Sequence, residues 1–329
     1  MLTKQKSLKT THGNLQLPAF FPDATYGKII GIDNKDLNKI KLDGLVVNAY
    51  HILKNNLLGK ISKSGIHKYM KFNKSVISDS GGFQVMSLIH NHKNGKISDK
   101  GAFFTLHNKK ILLTPEKCID IQLKIKSDII MCLDECTMPD ISFSKQKESV
   151  KRTILWARKC KKEFDKKTKN MKKKPLIFAI IQGGNNKKLR RYCANKLIGL
   201  DFDGYSFGGF PIKNKKLLAG ILEYVAKLLP KNKPKYAMGI GKPKDIIKCV
   251  KMGYNIFDCV IPTRDARHKR LYVWKNKKKL QHTTLNIRAS NKKTRKLANL
   301  FKHDYNKAVK IATMHNLAFY SQLMRRLRK

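Results

Sequence analysis

Three short apolar runs in this chain each deliver a carboxylate. SVISD (75–79) ends in Asp79, DIIMCLD (128–134) ends in Asp134, and NIFDCV (255–260) carries Asp258. Carboxylates are costly to bury without a partner or a task. Any one of them, taken singly, reads as a helix cap or a loop acid. Together with Gln182 after PLIFAII and Asn48 in GLVVNA they form a polar set at the ends of similar runs. Three glycine pairs follow such runs: Gly81–Gly82, Gly183–Gly184 and Gly208–Gly209. Paired glycines let backbone approach a flat ligand closely, so that N–H and C=O groups can read its polar edges. A carboxylate accepting from two adjacent N–H groups is one way to hold a guanine edge, although composition alone specifies only a planar, polar ligand. Phe83 and Met238 stand where they could close over the two faces of such a ligand. Ordinary core packing is the other reading of those two.

The elements that must position these residues are legible as eight apolar runs: 17–21, 44–49, 75–79, 128–134, 175–182, 204–209, 236–240 and 255–260. Helical patterns lie between them near 62–72, 115–127, 144–169, 186–198, 213–230 and 243–252. Strands alternating with helices predict a parallel sheet. Eight of them predict a closed (β/α)8 TIM barrel, in which chemistry gathers at the C-terminal strand ends. An open doubly wound sheet is the competitor, and no GxGxxG follows the first run. The division expected is a barrel over 1–285, with an irregular insertion or small hairpin near 86–114, and a C-terminal helical extension over 286–329. In that tail Leu297, Leu300 and Phe301 share one helical face, and Leu317, Tyr320, Leu323 and Met324 share another.

The chain has 329 residues, 41% of them hydrophobic, which is enough to bury a full core. Its formal net charge of +49 comes from 71 Lys and Arg against 22 Asp and Glu. A charge that large implies a polyanionic partner, most simply a nucleic acid, unless it reflects general drift toward lysine. Residues 261–329 hold 20 Lys or Arg against Asp265 and Asp304. The seven cysteines are odd in number and widely spaced, which predicts reduced thiols and a cytoplasmic location. No apolar leader or spanning segment is evident, so no membrane partner is expected.

The motifs SDSGGFQVMSL, DIIMCLDECT, FAIIQGG, DFDGYSFGG, YAMGIGKP and FDCVIPTRDAR occur in this order. With the tail TMHNLAFYSQLMRRLR they closely resemble the tRNA-guanine transglycosylase family, from about residue 11 to the end. The resemblance implies a (β/α)8 barrel that replaces guanine at the anticodon wobble position, G34, of certain tRNAs by a 7-deazaguanine such as preQ1 or queuine. It implies Asp258 as nucleophile and Asp79 as general acid and base. Asp134, Gln182, Gly208 and Gly209 fall on base-recognition motifs, Phe83 and Met238 on the sandwiching pair, and Asn48 on a residue that supports Asp79. Arg264 and Arg267 in PTRDAR match residues that hold the tRNA, and Lys269 just beyond adds a cation suited to phosphate. The chemistry agrees. An ionised carboxylate attacks C1′, and one carboxyl group protonates the departing base and then deprotonates the incoming one, as in retaining glycosidases. No organic cofactor is needed.

The chain departs from the family in two places. The family carries a zinc site of a CxCxxC cluster and a histidine before its last helices, and here no cysteine follows Cys259. Structural zinc wants four ligands, so no metal is expected, and the homodimer to which that subdomain contributes is placed in doubt. After Gly209 the chain reads FPIKN, with Asn214 where bacterial members carry a carboxylate, which leaves the incoming base open. Rival readings are base exchange on another nucleic acid such as DNA, a non-catalytic RNA-binding subunit, and a hydrolytic glycosidase.

Overall fold

Eight short strands run parallel: β1 Ala19–Pro22, β2 Gly44–Asn48, β3 Ser75–Asp79, β4 Ile129–Met131, β5 Leu176–Ile181, β6 Gly204–Phe207, β7 Lys235–Ala237 and β8 Ile256–Cys259. They hydrogen-bond in the order β1-β8-β7-β6-β5-β4-β3-β2. A parallel bridge between Asp23 and Val46, with the Ala24 amide donating to the Val46 carbonyl at 2.7 Å, joins β2 back to β1 and closes the ring. This (β/α)8 barrel is seen in a computed structural model that describes residues 5–92, 95–138 and 141–329.

Each strand alternates its side chains between two apolar compartments. Phe21, Val46, Ile77, Ile180, Tyr236 and Ile256 fill the barrel interior. Their neighbours Phe20, Leu45, Val47, Val76, Ile181, Ala237 and Phe257 point outward, into the layer shared with the helices. Because both faces are buried, the strands read as continuous apolar runs rather than as alternating ones.

Helices Pro115–Ile125, Phe143–Thr168, Lys187–Ile198 and Pro243–Met252 lie where helical spacing predicts them, and Ala219–Leu228 covers the later part of its pattern. Two expected patterns differ in part. The pattern near 62–72 is divided at Gly65, whose φ of +82° ends one helix at Ser64 and begins another at Ile66. The pattern from 213 starts instead as a hairpin, Ile212–Lys213 against Lys216–Leu217, because Asn214 and Lys215 both adopt positive φ and make its two-residue turn. The 86–114 segment carries the end of helix Gly82–His92 and a three-stranded antiparallel sheet, Gly95–Ser98, Gly101–Leu106 and Lys109–Leu113. Residues 93–94 of that segment lie outside the described residues.

After β8 the chain forms helix Ile261–Arg267, a hairpin of Arg270–Asn276 with Gln281–Asn286, and helices Arg295–His303 and Tyr305–Leu327. Leu317, Tyr320, Leu323 and Met324 are buried in the outer core of the barrel, while Phe301 packs in a smaller cluster with Leu297 and Leu300 at its edge. Asn316 ties the tail down. Its Oδ1 accepts from the Tyr272 amide, and its Nδ2 donates to the Pro262 and Arg270 carbonyls, each at 3.0 Å. The floor of the barrel is pinned by Asp128. Its carboxylate accepts from the His12 amide, His12 Nδ1, His67 Nε2 and the Val76 amide at 2.8–2.9 Å, and from the Thr11 hydroxyl.

Candidate active site

The inward alternation runs to the C-terminal end of the strands or one residue past it. Two residues beyond Val46, Ile77, Ile180, Tyr236 and Ile256 come Asn48, Asp79, Gln182, Met238 and Asp258. Strand pleating alone therefore aims these five side chains at one mouth. With Phe83, Asp134, Gly208 and Gly209 they line a single cavity of about 500 Å³. A wider groove of about 1140 Å³ lies elsewhere, between residues 26–33 and the tail helix, and gathers none of these residues.

Asp79 is held by Asn48, whose Nδ2 donates to its Oδ2 at 2.7 Å and to Gln84 Oε1 at 3.0 Å. Burial pushes the Asp79 carboxyl up to about 7, and the charges of Asp134 and Asp258 push the same way, against the amides of Gly81 and Ser80. Asp258 accepts from the Gly239 amide at 2.8 Å and from the Tyr236 phenol. Burial raises it to about 6, and those two donors restrain the rise. Asp134 accepts from Gln182 Nε2 at 2.6 Å, and burial lifts it to about 6 as well. The two groups expected to share the chemistry are thus ordered, with Asp258 ionising before Asp79.

The Gln182 side and the glycine loops are packed without slack. A Cβ at Gly208 would lie 2.6 Å from Gln182 Nε2 and 2.5 Å from the Ile180 side chain. Arg190, buried in helix Lys187–Ile198, donates to the carbonyls of Gly184 at 2.8 Å, Gly208 at 2.9 Å and Ile181. Its guanidinium lies over the Phe207 ring, 4.1 Å from the centroid. One cation therefore clips together the loops after β5 and β6. Phe83 is 47% exposed and meets Phe210 edge to face at 5.7 Å, so it forms a rim rather than core. Met238 is half-buried and packs on the interior core.

Arg264 and Arg267 sit on helix Ile261–Arg267, directly after β8. Arg264 is exposed, and Arg267 is half-buried with a buried Nη1 that has no partner among the described residues. Lys269 does not line the cavity; its Nζ lies over the Phe301 ring of the tail, 5.4 Å from the centroid. Sequence reasoning missed Asp23, His51, Gln84, Tyr236 and Arg190. Asp23, His51, Gln84 and Tyr236 all line the cavity.

The cavity pairs an acid kept partly protonated near neutral pH with a second carboxylate that ionises more readily. The model of the queuine tRNA-ribosyltransferase family matches residues 3–329. The chain belongs to that family. A queuine tRNA-ribosyltransferase of Rickettsia bellii is 35% identical over 345 residues, covering 98% of this chain and 91% of the relative. One of Rickettsia canadensis is 36% identical, with 98% and 91% covered. One of a Psychrobacter species is 32% identical, with 99% and 88% covered. Like the queuine tRNA-ribosyltransferases it resembles, the chain is a pentosyltransferase, and Asp79, Asp134 and Asp258 stand together at its barrel mouth.

The zinc cluster of the family does not fit these residues. Beyond Cys259 only His268, His282, His303 and His315 remain as nitrogen ligands. His315 Nε2 is 2.8 Å from the Tyr272 carbonyl, which makes that nitrogen a hydrogen-bond donor. Among the described residues, the one group of three potential ligands is His12, His67 and Asp128, on the barrel floor. There His67 Nε2 also lies 3.1 Å from the Lys74 carbonyl, so that nitrogen too is a donor.

Proposed function

We propose that this tRNA-guanine transglycosylase exchanges guanine at the anticodon wobble position, G34, for a 7-deazaguanine through a ribosyl intermediate on Asp258. The observation that supports this most is the meeting of Asp258 and Asp79 in one cavity with unequal acidity. An Asp258 oxygen attacks C1′ and the glycosidic bond breaks. Its electron pair leaves with guanine, which takes the Asp79 proton. The incoming base then gives its N–H proton to the Asp79 carboxylate, and its nitrogen displaces Asp258 from C1′. Asp134, Gln182, Gly208 and Gly209 read the base edge, Phe83 and Met238 cover its faces, and Asn48 orients Asp79. The target nucleoside has to leave its stack to enter, which costs least in a single-stranded anticodon loop. Arg264 and Arg267 hold phosphates beside the mouth, and Lys269 joins them only by leaving Phe301.

In this reading residues 1–285 supply the catalytic barrel and 286–329 the extension, in a cytoplasmic protein that uses neither cofactor nor structural zinc. With Asn214 in the turn after Gly209, the cavity has no carboxylate there to favour a cationic side arm, and both queuine and preQ1 remain candidate bases. The test is exchange of labelled guanine, preQ1 and queuine into unmodified tRNA bearing G34. Wild type should incorporate label, and Asp258→Asn should form no covalent adduct with RNA. An adduct at wild-type level in that variant would refute Asp258 as nucleophile.

A further inference from the structure

Asp23 lies in no apolar run, yet it obeys the same alternation as the rest of the mouth. It stands two residues beyond the inward-facing Phe21. Phe21 pairs in register with Asp258 on β8, and Asp23 itself bridges Val46 on β2. Asp23 therefore closes the ring of mouth residues between the nucleophile and Asn48. The base-reading groups Asp134, Gln182 and Gly209 follow β4, β5 and β6, on the opposite side of the barrel. A nucleoside with its base on that side and C1′ over Asp258 must project its sugar toward β1 and β2.

The groups waiting there are polar and incompletely paired. Asp23 and His51 both line the cavity. His51 Nδ1 and Arg267 Nη1 are buried polar atoms without a partner among the described residues. Such atoms are uncommon and call for an explanation, a missing ligand among them. The Asp23 carboxylate accepts the Thr25 hydroxyl, feels the charges of His51 and Arg267, and in turn acts on Asp258. A carboxylate beside an imidazole suits a sugar hydroxyl, which can donate to the first and pair with the second.

Resting on the proposed reaction, we infer that Asp23 and His51 form a sugar-reading niche for the 2′-hydroxyl of the target nucleotide, and that they set the preference of the enzyme for ribose over deoxyribose. The 2′-oxygen hangs from the carbon next to C1′, so a group flanking the nucleophile is well placed to receive it. That hydroxyl is what lets a protein tell RNA from DNA at one site.

The test uses two anticodon stem-loops that differ only in carrying G34 with ribose or with 2′-deoxyribose. Initial rates of labelled-guanine exchange are measured for the full chain and for Asp23→Asn, Asp23→Ala and His51→Ala. Wild type should favour the ribose loop by about tenfold or more, the worth of a hydrogen bond to a charged group. The variants should bring that ratio down toward one. Asp23→Asn keeps the size of the side chain, so its ratio can be read even if Asp23→Ala folds poorly. A wild type that exchanges both loops equally overturns the niche, as does a ratio unchanged in the Asp23 variants. If Asp23 served only to tune Asp258, its loss would slow both loops alike and leave the ratio unchanged. A wild type that exchanges neither loop overturns the reaction itself, and the niche with it.

Discussion

Asp79, Asp134 and Asp258 line one cavity of about 500 Å³, where burial and the charges on the other two oppose ionisation of Asp79. Like charges in a poorly solvated space separate their titrations, which here leaves Asp79 the last to ionise. The pH profile of kcat/KM for RNA should accordingly be a narrow bell. Its acid limb follows ionisation of Asp258 near 6, and its basic limb follows loss of the Asp79 proton near 7. Asp134→Asn removes one of the charges that hold Asp79 protonated. The Asp79 pKa must then fall, and the basic limb should move to lower pH whatever happens to the absolute rate. A limb that stays in place would remove Asp134 from the acid–base system. The same burial has a stability consequence. The folded chain keeps a proton on Asp79 up to about 7, whereas the unfolded chain loses it near 3.8. Between those values the folded state binds more protons, so this group costs stability as pH rises from about 4 to 7. Asp79→Asn should therefore raise the melting temperature more at pH 8 than at pH 5, by about 3 °C or more.

At the scale of elements, what the sequence made legible was set by pleating, and what it hid was set by packing. All eight strands were visible because a strand buried on both faces has to be apolar throughout. Asn48, Asp79, Gln182 and Asp258 were visible because each ends or interrupts such a run. Asp23 obeys the same two-residue step, but Pro22 separates it from Phe21 and the run LPAFF looks finished without it. Arg190 was hidden in a basic helix whose charges look solvated. Only the spacing of the buried Leu189, Arg190, Cys193, Ala194 and Leu197 places it on the inner face. The hairpin at 212–217 was hidden because apolar spacing continues across it, and positive φ at Asn214 and Lys215 breaks the helix locally. Asn316 was likewise unreadable, as one polar residue on an apolar helical face. Its three hydrogen bonds join the tail helix to the amide of Tyr272 and to the carbonyls of Pro262 and Arg270. Asn316→Ala leaves those buried groups unpaired and should cost about 2–3 kcal/mol in urea unfolding. A cost below about 0.5 kcal/mol would show that apolar packing alone holds the tail.

Across the whole molecule, no cysteine follows Cys259, and the proposed reading has the tail anchored without zinc. The structure shows side-chain contacts that tie it to the barrel. The Tyr272 phenol donates to Asp265 at 2.6 Å and Arg270 donates to the same carboxylate at 2.8 Å, while the Tyr320 phenol reaches the Gly241 carbonyl at 2.6 Å and Trp274 Nε1 reaches Gln322 at 3.1 Å. Around that network Leu317, Leu323 and Met324 are fully buried. These contacts join the hairpin and the last helix to the barrel through side chains that need no metal and no deprotonated thiol. A zinc-dependent domain loses its fold with its metal, because the binding free energy is part of the folding free energy. This chain should behave otherwise. Its thermal unfolding and its exchange activity should be the same before and after prolonged dialysis against a strong chelator, and metal analysis of the purified protein should find well under one zinc per chain. One tightly held ion per chain, with a melting temperature that drops on chelation, would mean that residues outside the family cluster have rebuilt a site. His12, His67 and Asp128 would then be the first ligands to replace.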